Sequence, residues 1–171
     1  GINDNYFQTF DDRPNLITKR DTRIQLLADL ELPELGTLFD IGSGSGTIGL
    51  EALRIRPKLN LICIDKRFGS QALVEENSKR LGVSPLQIIE RDVNNYLSDL
   101  VNESFSNSNR IIIGGCSLET KLLVIKKFNN FLKQNDIIVL PIITYEVLQQ
   151  IDLTLKELNY EITMRLIQTF K

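Results

Sequence analysis

Three glycines at every second position, Gly42, Gly44 and Gly46, with Ser43 and Ser45 between them, follow an apolar stretch that carries one acid, Asp40. Glycine reaches positive φ without strain and has no Cβ, so a chain built this way can turn sharply and press its main-chain N–H groups against a bound molecule. A turn without a ligand gains nothing local in return for the backbone entropy of three glycines. Further on, Asp65 follows a second apolar stretch, Leu61-Ile62-Cys63-Ile64, and Asp92-Val93 follows a third.

Two ligand classes compete for the glycine loop. Gly44, Gly46 and Gly49 match the dinucleotide pattern, with Asp65 about 20 residues further on where a ribose-binding acid is expected. S-adenosylmethionine is the other. Asp40 separates the two, because a carboxylate beside a pyrophosphate costs Coulomb energy, whereas beside an α-ammonium group it gains about 1–4 kcal/mol at intermediate dielectric. The residues therefore favour S-adenosylmethionine over a nicotinamide dinucleotide. Its expected contacts are Asp40 on the ammonium, the 42–46 backbone on the methionine moiety, Asp65 on the ribose hydroxyls, and Asp92 and Val93 on the adenine.

The chain contains no histidine, and its two cysteines, Cys63 and Cys116, lie in apolar or glycine-rich surroundings. Imidazole acid–base catalysis is thereby excluded, and no metal site is expected, since zinc needs about four nitrogen or sulfur ligands at recognisable spacing. Any proton must move through carboxylates, lysine, tyrosine or water. A net charge of −2 gives no general attraction to nucleic acid. Lys19, Arg20 and Arg23 form a local basic group, with Lys66 and Arg67 a second. Each is either a solvated surface or an anchor for acidic substrate groups, and forked guanidinium groups suit carboxylates best.

These residues need a scaffold. Short apolar runs at 37–41, 60–64, 86–90, 110–113, 137–141 and 161–167 read as strands, and amphipathic stretches at 45–54, 69–81, 94–100, 118–132 and 144–158 read as helices. Strand and helix in alternation predict a mostly parallel, doubly wound α/β sheet covered on both faces. An arm (1–16) and a helix (19–30) form an N-terminal part, residues 1–36, ahead of the cofactor-binding domain at 37–171. The segment 101–109, rich in Ser and Asn, reads as a mobile surface loop without function. The longest apolar run, 137–143, is broken by Pro141 and falls far short of the roughly 20 residues a bilayer requires. With no secretory signal visible, a cytoplasmic location is the expectation.

Several stretches together resemble one family. They are Gly1-Ile2, Asp4 and Phe7; Ile17-Thr18-Lys19-Arg20 with Arg23; Asp40 to Gly46 with Glu51-Ala52; Glu76-Asn77 to Leu81-Gly82; and Ile113-Gly114-Gly115. The chain resembles, over essentially its whole length, the decarboxylating C15-methyltransferases of cobalamin biosynthesis that act on precorrin-6B or its cobalt form. Such enzymes stand alone or form the C-terminal part of a fused enzyme.

The resemblance implies a class I S-adenosylmethionine-dependent methyltransferase domain, Rossmann-like, that methylates carbon 15 of a tetrapyrrole and removes carbon dioxide from the ring-C acetate. It adds Thr18 to the cofactor contacts and implies substrate contacts at Lys19, Arg20, Arg23, Gly114 and Gly115. It also implies a homotetramer or a fused bifunctional chain. Cys116 stands where the family has a small residue, and Arg91-Asp92-Val93 replaces its usual glycine-led adenine loop. The chain also stops before the last antiparallel strand of class I methyltransferases, and Gly1 in place of Met suggests an excised domain. Two other functions stay open: a methyltransferase with an RNA or protein acceptor, and a non-catalytic binding domain of the same fold.

Overall fold

The computed structural model describes residues 1–168, with the side chains of 102–104 set aside. Among these residues five strands form one sheet in the order β3-β2-β1-β4-β5: β1 (Gly36–Ile41), β2 (Leu59–Asp65), β3 (Gln87–Glu90), β4 (Asn109–Ile113) and β5 (Ile137–Val139). Every pairing is parallel, with Phe39 opposite Ile62 on one side and Ile111 on the other. A parallel sheet must be covered on both faces, and the period-2 alternation of its strands supplies two apolar surfaces.

Among the described residues six helices provide the cover: α1 (Arg20–Asp29), α2 (Thr47–Ile55), α3 (Ser70–Leu81), α4 (Leu97–Ser104), α5 (Leu118–Phe128) and α6 (Tyr145–Glu157). Leu38, Leu61 and Ile112 face α1, α2 and α3 through Leu26, Leu50 and Val74. Phe39, Ile62, Ile111 and Ile113 face α4, α5 and α6 through Leu100, Ile125 and Ile151. Phe7 of the arm and Leu26, Leu27 and Leu30 of α1 join the first of these cores, so the N-terminal part is packed onto the sheet.

Because β2 and β3 lie to one side of β1 and β4 and β5 to the other, chain direction across the sheet reverses beside β1. In doubly wound folds the crevice at the carboxyl end of this switch point receives the ligand. The glycine loop leaves β1 there, and Gly114-Gly115 leave β4 next to it, with Gly114 N–H donating to the Ile41 carbonyl at 2.8 Å.

Two expectations need correction. Residues 161–167 form no strand. A strand is held by a neighbour's ladder, and among the described residues none pairs here, while Met164 and Leu166 are exposed. Arg165 instead reaches Asp29 of α1 at 2.9 Å. The segment 101–109 is not a mobile loop: α4 runs to Ser104, and Phe105 packs on Phe39 and Phe128 with ring centroids 4.9 and 5.1 Å away. Asn109 is buried and held twice by Asp136, at 2.7 and 2.9 Å. Polar composition concealed an aromatic anchor and a buried amide. Residues 169–171 of the expected domain lie outside the described residues.

Candidate functional site

Gly42, Gly44 and Gly46 all take positive φ, at 73°, 56° and 74°. Gly44 differs from its neighbours in what lies beyond it. A Cβ built there meets no heavy atom within 4 Å, so the loop is shaped around open space at the crevice. Its N–H donates to Asp65 Oδ2 at 2.7 Å, and Arg67 N–H donates to Asp65 Oδ1 at 2.8 Å. Asp65 thus couples the loop to the end of β2 while keeping further lone pairs, since an ionised carboxylate has about four acceptor sites.

Asp40 occupies a different position from the one its sequence context suggests. It is 2% exposed, points beneath the start of α2, and accepts the Gly49 N–H at 2.9 Å on Oδ2. Helix α2 begins after Gly46, which has no side chain to satisfy the orphan N–H groups, and Asp40 supplies the missing cap from the strand. A Cβ on Gly49 would stand 2.8 Å from that same oxygen, so the close approach requires glycine. Burial raises the Asp40 pKa from 3.8 to about 7; the Gly49 hydrogen bond opposes this and the charge on Asp65 adds to it.

After β3, Asp92 is half-buried and accepts the Asn94 N–H at 3.0 Å, capping a short 3-10 turn, and Val93 is buried beside it. Lys66 lies 3.8 Å from Asp92. The turn after β3 therefore meets the end of β2 at the carboxyl edge.

Helix α1 runs antiparallel to the strands: its last turn meets the start of β4, where Arg110 donates to the Leu30 carbonyl at 2.6 Å. Its N-terminus, with Thr18 and Lys19, consequently points toward the carboxyl side. Lys19 is exposed, and exposed Arg20 donates to the Gly1 carbonyl at 3.0 Å. Arg23 does not belong with them, which corrects its expected place as a substrate contact. It is fully buried and pairs with Glu51 at 2.6 Å and Asp4 at 3.0 Å. It also donates to the Thr18 and Ile2 carbonyls and lies over the Phe7 ring. All three nitrogens of its fork bond within the protein, joining the arm to α2, and its full burial leaves no access for a ligand.

Two residues were assigned no role from the sequence. Asn77 of α3 is fully buried and bridges the glycine loop to the arm, donating to the Ser45 and Gln8 carbonyls at 2.9 and 3.0 Å and accepting the Gln8 N–H at 2.7 Å. Lys121 of α5 is 5% exposed and donates to the Ile113 and Gly114 carbonyls at the end of β4. Each is a polar residue on its helix's buried stripe, Asn77 with Val74 and Leu81, and Lys121 with Val124, Ile125 and Phe128. That misplaced polarity is the signal that could have marked them. The arm continues along α3 to the mouth of the crevice, where Arg67 stacks on Phe10 at 4.9 Å.

A cradle of open-faced glycine backbone, a carboxylate at the end of β2 and a second glycine turn at the end of β4 can receive a molecule with a ribose and an amino-acid tail. Comparison with known proteins agrees. A relative from Saccharolobus solfataricus, a probable cobalt-precorrin-6B C(15)-methyltransferase (decarboxylating), is 32% identical over 72% of this chain, and the match spans 60% of that relative's length. A probable enzyme of the same name from Pyrobaculum calidifontis is 28% identical over 95% of this chain and 81% of its own. The crystal structure of a precorrin-6Y C5,15-methyltransferase from Geobacter metallireducens superposes with a TM-score of 0.81 at 25% identity, covering 94% of this chain and 80% of that one. The sheet order and helix placement are those of class I S-adenosylmethionine-dependent methyltransferases, and the model of the precorrin methyltransferase domain matches residues 8–168. The chain belongs to the precorrin methyltransferase domain family.

Proposed function

We propose that this chain binds S-adenosylmethionine and methylates carbon 15 of precorrin-6B or its cobalt form, with loss of carbon dioxide from the ring-C acetate. The observation that carries the cofactor assignment is the open space over Gly44 with Asp65 bonded to that residue's N–H. A Cβ would project into the room a methionine moiety needs, so the residues present fit the group. Asp65 would hold the ribose hydroxyls, Asp92 and Val93 the adenine, Asp40 would supply negative charge for the α-ammonium, and Thr18 would close the loop side. When bound, the cofactor supplies an electrophilic methyl group on a sulfonium.

The protein's share of the chemistry is placement. Holding the acceptor carbon in line behind the methyl can supply roughly 7–11 kcal/mol of the barrier without a side-chain nucleophile. A histidine-free chain is compatible with this, because the conjugated acceptor provides both the attacking carbon and the electron sink for decarboxylation. Lys19 and Arg20, both exposed, would serve as cations for a polycarboxylate, and Gly114 and Gly115 would offer bare backbone to a flat ring. A homotetramer or a fused enzyme is the assembly the family resemblance implies, and light scattering of the purified chain reads the first.

The test is turnover of precorrin-6B with S-adenosylmethionine followed by mass spectrometry. Gain of one methyl and loss of one carbon dioxide supports the assignment; methylation of RNA or protein, or retention of the carboxyl group, refutes it. Failure to bind S-adenosylhomocysteine would instead favour a non-catalytic domain.

A further inference from the structure

Lys121 is a cation for which methyl transfer has no direct use. It lies on the face of α5 that packs into the core, and burial holds its pKa below the ordinary lysine value. An ammonium so enclosed persists only where acceptors satisfy it. Here two successive carbonyls do so, Ile113 O at 3.0 Å and Gly114 O.

Two carbonyls held by one cation fix two successive peptide planes. The Gly114 carbonyl also accepts the Cys116 N–H at 2.7 Å, closing a three-residue turn centred on Gly115. The Gly115 N–H shares a trans peptide plane with that clamped carbonyl and so points away from Lys121. Its nitrogen stands 2.9 Å from where a Cβ on Gly42 would lie, between the glycine loop and β4. Gly115 is exposed, and among the described residues its N–H donates to no protein acceptor.

We infer that Lys121 is a positioning residue for the acceptor: its ammonium clamps the Gly114–Gly115 peptide so that the Gly115 N–H, polarised through that peptide, is presented to a carboxylate of the tetrapyrrole. The inference rests on the functional assignment above for the identity of the acceptor, but not for the clamp itself.

Three variants of the full chain test it. Lys121→Met should leave the S-adenosylhomocysteine Kd within about twofold while raising the acceptor KM on the order of tenfold, the size of one charge-assisted hydrogen bond. Lys121→Arg should recover part of that loss. Gly115→Pro deletes the N–H at a φ such a turn allows, should show the same split, and should add little to Lys121→Met because both remove one interaction. If Lys121→Met does not fold, Lys121→Arg tests the clamp by the same split of acceptor KM from cofactor Kd, and Gly115→Pro tests the N–H.

In the ligand-free protein, the Gly115 amide resonance should move on titration with acetate, and this response should be lost in Lys121→Met. The inference is overturned if cofactor affinity and acceptor KM worsen in step, if Gly115→Pro leaves the acceptor KM unchanged, or if acetate does not move the amide. A wild-type chain whose amide responds to acetate but which turns over no precorrin would refute the functional assignment and leave the clamp standing.

Discussion

Replacing Asp40 with asparagine separates the cost of burying a charge from the benefit of capping α2. The asparagine amide oxygen can still accept the Gly49 N–H that Oδ2 accepts at 2.9 Å, but it carries no charge. With a pKa raised from 3.8 to about 7, chiefly by burial, Asp40 binds its proton more tightly in the folded chain than in the unfolded one. The sign follows: between those two values the folded state holds more protons, so this group's contribution to stability falls as pH rises from about 4 to about 7. At about 1.4 kcal/mol per pKa unit, the whole fall is on the order of 4 kcal/mol.

Only the difference between variant and wild type isolates Asp40 from the rest of the chain. Urea unfolding at pH steps from about 4 to about 8 should show Asp40→Asn close to wild type at the acid end, where both side chains are neutral. The difference should move steadily in the variant's favour and level off above about pH 7. A difference that stays constant over that range would refute the burial account of this residue.

Binding offers a second view of the same group: if Asp40 serves the α-ammonium, S-adenosylhomocysteine binding near pH 6.5 should release part of a proton, measured by calorimetry in buffers of different ionisation enthalpy, and Asp40→Asn should abolish the release. Asp65→Ala should weaken S-adenosylhomocysteine by about 1–3 kcal/mol through the loss of charge-assisted bonds, and unchanged affinity would remove it from the cofactor site. Gly44→Val should abolish that binding while circular dichroism stays near native, because the side chain enters open space and φ of 56° is strained for valine. Arg23→Ala should cost about 3–5 kcal/mol of stability by leaving Glu51 buried without its partner, and a stable variant with only a raised acceptor KM would restore Arg23 to substrate binding.

The alternating strand and helix signals were sufficient for the sheet because each strand's short apolar run, as in Leu61-Ile62-Cys63-Ile64 or Ile111-Ile112-Ile113, is a local property that burial on two faces directly selects. The glycine loop was legible for the same reason, since its φ values are set within five residues. The expected strand at 161–167 shows where local pattern stops being enough. Its residues alternate as a strand's would, but a ladder needs a neighbour, and neighbours are not written in the segment itself.

The side chains whose partners the sequence did not reveal share a physical cause. Arg23, Asp40, Asn77 and Lys121 are all polar, all buried, and all spend their hydrogen-bonding capacity on backbone or partners distant in sequence: Ile2 and Glu51, Gly49, Ser45 and Gln8, Ile113 and Gly114. Sequence exposes residue type and periodicity, and by type a charged residue near a ligand loop reads as a ligand contact. Burial reverses that reading, because a desolvated polar group must be satisfied by the protein before it can serve anything else. The arm, the glycine loop, the start of α2 and the turn after β4 are each loop or helix-end backbone that the sheet ladder does not hold. Each is tied to the core by one of these four residues. What remains at the carboxyl edge, half-buried Asp65 with exposed Lys19 and Gly115, is the part of the proposed site whose precision depends on the buried four.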